Sequence, residues 1–208
     1  MLKYLEQRAT DGDAPFFLYF APNANHNQRN VDGVFAVPDK VGGVKIKGAS
    51  RYTDGSKAGD REDMVLENDV IFGEILDKLK RTEDPRWPGH KMIENTLVIF
   101  TSDNGPNLSD VKNEDLVQES GGLRGKKAKI WEGGHRVPGI FYWKRKIIGG
   151  RVEKEPAGAV DLLPTICGLL GIEKPKNVFL DGSDLTPLLT GTGNFERHQP
   201  LFWMNGST

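Results

Sequence analysis

Three groups of side chains in this sequence have the types and spacing to do chemistry. The first is Asp103 with Asn104, which close the stretch Leu97-Val-Ile-Phe-Thr-Ser-Asp-Asn-Gly-Pro106. A carboxylate beside a carboxamide is a pair of hard oxygen donors, suited to calcium or magnesium and poorly suited to zinc or copper. Asp-Asn-Gly is also a common turn, because Asn and Gly tolerate positive φ. The second group is the basic cluster Arg124, Lys126, Lys127 and Lys129, read either as an anion site or as a solvated basic loop. The third is His26, in the loop Pro22-Asn-Ala-Asn-His-Asn-Gln-Arg29. A loop histidine can serve a site or simply be solvated.

Positioning these groups requires particular elements. Leu97 to Thr101 is apolar or β-branched without alternation, which predicts a strand buried on both faces of a sheet. Asp103 and Asn104 then stand at its carboxyl end, the edge where α/β proteins usually bind ligands. Phe16-Phe-Leu-Tyr-Phe-Ala21 predicts a second buried strand, and His26 follows its exit. If the two strands run parallel, His26 and Asp103 face the same edge. Residues 1–9 read as the end of a helix with Leu2 and Leu5 on one face. Asp60 to Arg81 is the clearest helix, with Asp60 as N-cap, acids in its first turn and bases in its last. Its Met64, Ile71, Ile75 and Leu79 form an apolar row, while Glu67 and Asp69 read as a solvated face. Pro138 to Trp143 predicts a third strand. Ala157 to Gly171 predicts a helix with Pro164 near its start and Gly171 as its cap. Leu201 to Trp203 is one more candidate strand. Helices alternating with strands imply an α/β fold with a mostly parallel sheet flanked by helices.

Composition narrows the function classes. The 208 residues suit one domain with a sizeable core, or a piece of a larger one. A net charge of −1 offers no bulk attraction to nucleic acid or an acidic membrane, so no nucleic-acid partner is expected. No stretch reaches the roughly 18 apolar residues of a membrane span. The single cysteine, Cys167, excludes an internal disulfide and lies in an apolar helix, where it should be inert.

The block Gly121-Gly-Leu-Arg-Gly-Lys-Lys-Ala-Lys-Ile-Trp-Glu-Gly-Gly-His-Arg-Val-Pro138 gives these groups a context. A strand ending in Ser-Asp-Asn-Gly, then Leu-Arg-Gly-x-Lys, then Trp-Glu-Gly-Gly-x-Arg-Val-Pro resembles the later half of the sulfatase catalytic domain. The similarity runs from about residue 15 to about residue 189, and the wording is most like the arylsulfatase and galactosamine-sulfate sulfatase branch. It implies an alkaline-phosphatase-like sheet and the activity of a sulfuric ester hydrolase acting on aryl or sugar sulfates. It also implies Asp103 and Asn104 as ligands of Ca2+, and Lys127, counted back from Glu132, as the lysine aimed at the sulfate. His26 would donate a hydrogen bond or proton to the ester. Sulfatases commonly have Asn-Ala-Pro-His here, and Asn25 in place of Pro predicts a less rigid loop. His135 falls at a variable position and reads as peripheral. Members of the family are usually secreted, periplasmic or lysosomal.

The resemblance also implies a nucleophile, a formylglycine made from the cysteine of a Cys-x-Pro-x-Arg motif. Neither that motif nor Ser-x-Pro-x-Arg occurs here, and the family's early Asp-Asp metal pair is also absent. The expectation is therefore a fragment of a longer sulfatase, its first strands missing and Met1 internal in the parent. Such a chain would hold calcium weakly or not at all and would be inactive alone. Two other classes remain open. One is a degenerate sulfatase acting as a non-catalytic anion- or sulfate-binding module at Lys127 and His26. The other is a phosphoryl-transfer relative, for which more Asp and His ligands would be expected.

Overall fold

A computed structural model describes residues 1–12, 14–26, 36–107 and 120–204. The chain divides into two units, Met1–Asn95 and Thr96–Thr208.

The first unit is built on the helix Asp60–Arg81, whose bounds match its sequence pattern. Its ends obey the macrodipole: Asp60, Glu62 and Asp63 lie in the first turn, and Lys78, Lys80 and Arg81 in the last. The cap is Gly59 rather than the expected Asp60, and Glu62 reaches back to accept the Gly59 N–H at 2.9 Å. That satisfies one of the donors a helix start leaves unpaired. Leu2–Thr10 forms a second helix; its Leu5 is fully buried, and Glu6 meets Lys78 at 2.8 Å. Lys40–Val41 and Val44–Lys45 form a tight antiparallel hairpin. Its two turn residues, Gly42 and Gly43, have φ of 54° and 85°, as a primed two-residue turn requires. Val37, Ile46 and Met64 form the core here, with Val41, Leu66 and Val70 packed on it.

Asp63, read from sequence only as a first-turn acid, is 1% exposed. Its carboxylate accepts the Ser50 N–H at 2.9 Å and the Ser50 hydroxyl, and also takes the Gly48 N–H. Burial pushes this carboxyl up, yet the hydrogen bonds from Ser50, Gly48 and Ala49 outweigh burial and hold it below the usual carboxylate value. Glu67, placed on the solvated face from sequence, is partly buried, and burial raises its pKa.

Phe16 to Ala21 does not form the expected buried strand. The segment has no ladder among the described residues, and Phe17 and Tyr19 are 76% and 82% exposed. An apolar run reports a tendency to be covered; a strand also needs a neighbouring backbone edge.

In the second unit, Val98–Thr101 pairs antiparallel with Gly139–Tyr142, from Val98 opposite Tyr142 to Thr101 opposite Gly139. The mostly parallel sheet expected from sequence is therefore not what the described residues show: both of their sheets are two-stranded and antiparallel. Nor is this pair buried on both faces, since Thr101, Gly139, Ile140 and Tyr142 are exposed. A short 3-10 turn, Ala159–Asp161, leads into the helix Leu162–Leu170, which Gly171 ends in the left-handed conformation at φ 68°, as predicted. Cys167 is buried in that helix.

Asp161 is fully buried beneath it. Arg197 donates to both of its carboxylate oxygens at 2.9 Å, and the amides of Gly158 and Ser183 donate at 2.8 and 2.7 Å. Burial raises this carboxyl, but the Arg197 fork and the two amides together hold it below its ordinary value. Leu201 to Trp203 has no ladder among the described residues.

Candidate active-site loops

The Val98–Thr101 strand delivers Ser102, Asp103 and Asn104 to an open edge, where Asp103 is exposed and Asn104 half-buried. The Ser102 hydroxyl donates to the Asn104 carbonyl at 3.0 Å, which folds the strand exit back on itself. The Asn104 amide nitrogen donates to the Gly105 carbonyl at 2.9 Å. That contact fixes which way the carboxamide lies and leaves its Oδ1 as an acceptor on the other side.

The lysine loop is seated directly on this exit. Gly105 N–H donates to the Gly134 carbonyl at 2.9 Å, and Lys127 N–H donates to the Pro106 carbonyl at 2.9 Å. The approach is so close that a Cβ on Gly105 would lie 2.0 Å from the Gly133 carbonyl oxygen. Likewise a Cβ on Gly134 would lie 2.1 Å from the Lys129 carbonyl oxygen, so the Trp-Glu-Gly-Gly stretch is glycine because backbone must touch backbone. Glu132–His135 makes a single helical turn, the tight turn expected there. Arg124 covers the ring of Trp131, its guanidinium carbon 3.6 Å from the ring centroid, and Gly133 N–H donates to the Arg124 carbonyl at 2.8 Å. These contacts close the base of the loop that presents Lys127. Between Lys127 and Lys129 the chain turns at Ala128, with φ 65°.

The structure thus brings Asp103, Asn104 and Lys127 onto two adjoining loops of the second unit. His26 belongs to the first unit, where its N–H closes a turn onto the Asn23 carbonyl at 3.1 Å. Asn25 in that turn has φ 65°, which Asn tolerates and the ring of a proline forbids. The turn seen here is therefore one that a proline at position 25 could not adopt. Residues 108–119, read from sequence as a polar loop, lie outside the described residues.

By donor chemistry, a carboxylate and a carboxamide oxygen at an exposed strand end fit a hard cation such as calcium. By number they do not complete its shell, because calcium takes six to eight oxygens. Among the described residues no group of three or more His, Cys, Asp or Glu side chains is gathered for a metal. Asp103 and Asn104 are at most a part of a cation site.

His135, at a position that reads as peripheral in the sequence, stacks its ring on Trp203 with centroids 3.9 Å apart. Its Nε2 lies 3.1 Å from the Ile130 carbonyl, an atom that can only accept, so this nitrogen donates. No sequence signal could have found that stack, because its partner is far along the chain.

Comparison with known proteins places the chain in a family. The family described as Sulfatase matches residues 1–172. Arylsulfatase A of Homo sapiens is 35% identical over 191 residues, covering 92% of this chain and 32% of that protein. Steryl-sulfatase of Homo sapiens is 36% identical over 149 residues, covering 71% of this chain and 24% of that protein. Among solved structures, the PsFucS1 sulfatase from Pseudoalteromonas sp. matches with a TM-score of 0.51 and 36% identity, covering 64% of this chain and 25% of that one. The chain spans about a quarter to a third of the length of these relatives. A match over most of its residues, by sequence and in an α/β neighbour of the alkaline-phosphatase-like class, makes this chain a member of the sulfatase family.

Proposed function

We propose that this chain carries the later half of a sulfuric ester hydrolase site, with Lys127 as the cation that meets the sulfate. The observation behind this reading is the docking of the lysine loop on the Asp103–Asn104 exit through Gly105–Gly134 and Lys127–Pro106. An ammonium held there would draw an anionic sulfonyl group to the strand end and stabilise charge developing on its oxygens. Asp103 and Asn104 would supply two oxygen donors to a calcium ion, which when bound polarises the sulfate. His26 would donate a hydrogen bond or proton to the ester oxygen, a role that rests on the family resemblance alone. Substrates are aryl or sugar sulfates.

The sequence has no Cys-x-Pro-x-Arg or Ser-x-Pro-x-Arg motif, and its one cysteine is buried in a helix. The group that would attack sulfur is thus not supplied by these residues. The 208-residue chain alone therefore binds calcium weakly and does not turn over sulfate esters. The same observation supports a second reading, a non-catalytic module that retains the anion site. Titration calorimetry with inorganic sulfate separates the possibilities from a simple scaffold. Binding that weakens at least about tenfold in Lys127→Ala, the loss of a charge-assisted contact, supports the site. Sulfate binding indifferent to Lys127 would overturn it. Turnover of p-nitrophenyl sulfate that persists in Lys127→Ala would overturn both the role of Lys127 and the inactivity of the chain.

A further inference from the structure

Residues 195–204 form a strap on the second unit that is held by side chains, with no ladder among the described residues. Arg197 is its first anchor: beyond the fork onto Asp161, it donates to the Pro156 carbonyl at 2.7 Å. His198 Nδ1 lies 3.0 Å from the hydroxyl of the buried Ser183. Pro200 then keeps the chain before it extended. Leu201 packs on Gly158, where a Cβ would meet its Cδ2 at 3.3 Å.

Trp203 is the far end of the strap. Its ring stacks on His135 at 14° between planes, and His135 donates from Nε2 to the Ile130 carbonyl, closing the 130–135 turn. The residue before His135 is Gly134, whose carbonyl accepts the Gly105 N–H of the joint. Gly134 also lies against both flanks of Lys127: a Cβ there would be 2.7 Å from the Lys126 carbonyl oxygen and 2.1 Å from that of Lys129. The lysine loop needs outside support, because Ala128 holds a left-handed φ of 65° that a residue with a Cβ adopts only when its surroundings impose it. Around the stack, strap and loop face each other across a cleft of about 370 Å3 lined by Ala128, Lys129, Ile130 and Met204. With that seam open, the stack is what ties the strap end to the loop.

We infer that Trp203 is a positioning residue: the strap that ends in it clamps His135 and so holds the lysine loop on the Asp103–Asn104 exit. Trp203 touches no anion itself and acts through the backbone that presents Lys127. The consequence for sulfate rests on the reading of Lys127 given above; the clamp stands on the contacts alone.

Amide hydrogen exchange on the full chain, read at Gly105, Lys127 and Gly133, tests the clamp, because each of these N–H groups closes a contact of the joint. Trp203→Ala should speed exchange there by about two- to tenfold, the loop opening that one aromatic pair suppresses. Trp203→Phe keeps a ring and should restore most of the protection. Phe202→Ala, its neighbour at 75% exposure, should change nothing. The amides of Leu162–Leu170 are the internal reference: general destabilisation speeds them equally, whereas release of the strap end does not. Loop exchange that stays the same in Trp203→Ala, or that rises only in step with the reference, would overturn the clamp. Inorganic sulfate, titrated by calorimetry, should bind about twofold or more weakly to Trp203→Ala and regain affinity in Trp203→Phe, since a loop less often in place binds less. Faster loop exchange with unaltered sulfate affinity would uphold the clamp and overturn its link to the sulfate site. If sulfate is indifferent to Lys127→Ala, the reading of Lys127 fails separately, and exchange alone decides the clamp.

Discussion

Gly105→Ala is the sharpest test of how the two loops meet. The added methyl would sit 2.0 Å from the Gly133 carbonyl oxygen, 2.9 Å from its carbon and 3.1 Å from the Gly134 carbonyl carbon. Carbon atoms pack comfortably at about 3.5–4.0 Å, so one loop must retreat by more than about 1 Å. The obstacle is backbone, which cannot rotate aside as a side chain can. Forcing an extra methyl into such a site costs about 1–3 kcal/mol. The retreat also pulls apart Gly105 N–H from the Gly134 carbonyl and strains Lys127 N–H on the Pro106 carbonyl, both 2.9 Å now, at about 1 kcal/mol each. A loss of about 3–5 kcal/mol follows, or a melting point lower by about 6–20 °C at about 2–4 °C per kcal/mol. Sulfate affinity should fall with it, because Lys127 moves away from the strand exit. Gly149→Ala is the control: nothing lies within 4 Å of a Cβ at that position. Differential scanning calorimetry and sulfate titration of both variants give the readout. A Gly105→Ala protein that melts with the Gly149→Ala control and binds sulfate as before would refute the docking.

Arg197→Ala should lower stability by about 3–5 kcal/mol in urea unfolding, because it leaves the fully buried Asp161 carboxylate without its countercharge. Stability should also fall in acid. The folded pKa of Asp161 lies below its unfolded value, so its contribution is present above the unfolded pKa and is lost as pH falls through the folded one. Asp63 acts in the same direction. Asp161→Asn should therefore flatten the fall in urea midpoint below about pH 4, the ordinary Asp value; an unchanged slope would count against the Arg197 pair. Cys167, 7% exposed, should resist a thiol reagent such as DTNB until the protein is unfolded in urea, and rapid labelling of the native chain would contradict its burial.

What the sequence disclosed, and what it withheld, follows from the range of each signal. Asp60–Arg81 was legible to the residue because helix periodicity and end charges are local. Asp63 is the first-turn acid the sequence indicates, but its burial was not legible, because its partners, the amides of Gly48 and Ser50, come from a loop whose path no local pattern specifies. Leu97 to Thr101 was rightly a strand, and Pro138 to Trp143 contains another, yet their antiparallel pairing went unforeseen. An unalternating apolar run favours a strand covered on both faces, the usual case in parallel sheets, but the direction of the neighbour is set by a distant backbone that no local pattern specifies. Phe16 to Ala21 carries the same signal with no ladder, so the signal is insufficient for a strand. The adjacency of Asp103 and Lys127 came only from the family resemblance. It has a local cause all the same. Gly105, Gly133 and Gly134 are each separated from a carbonyl oxygen by less than a Cβ would need. A glycine at each of those positions is the trace, in sequence, of two backbones in contact. The Gly105–Pro106 and Trp-Glu-Gly-Gly stretches are therefore two halves of one joint, and the lysine between them is placed by that joint rather than by its own surroundings.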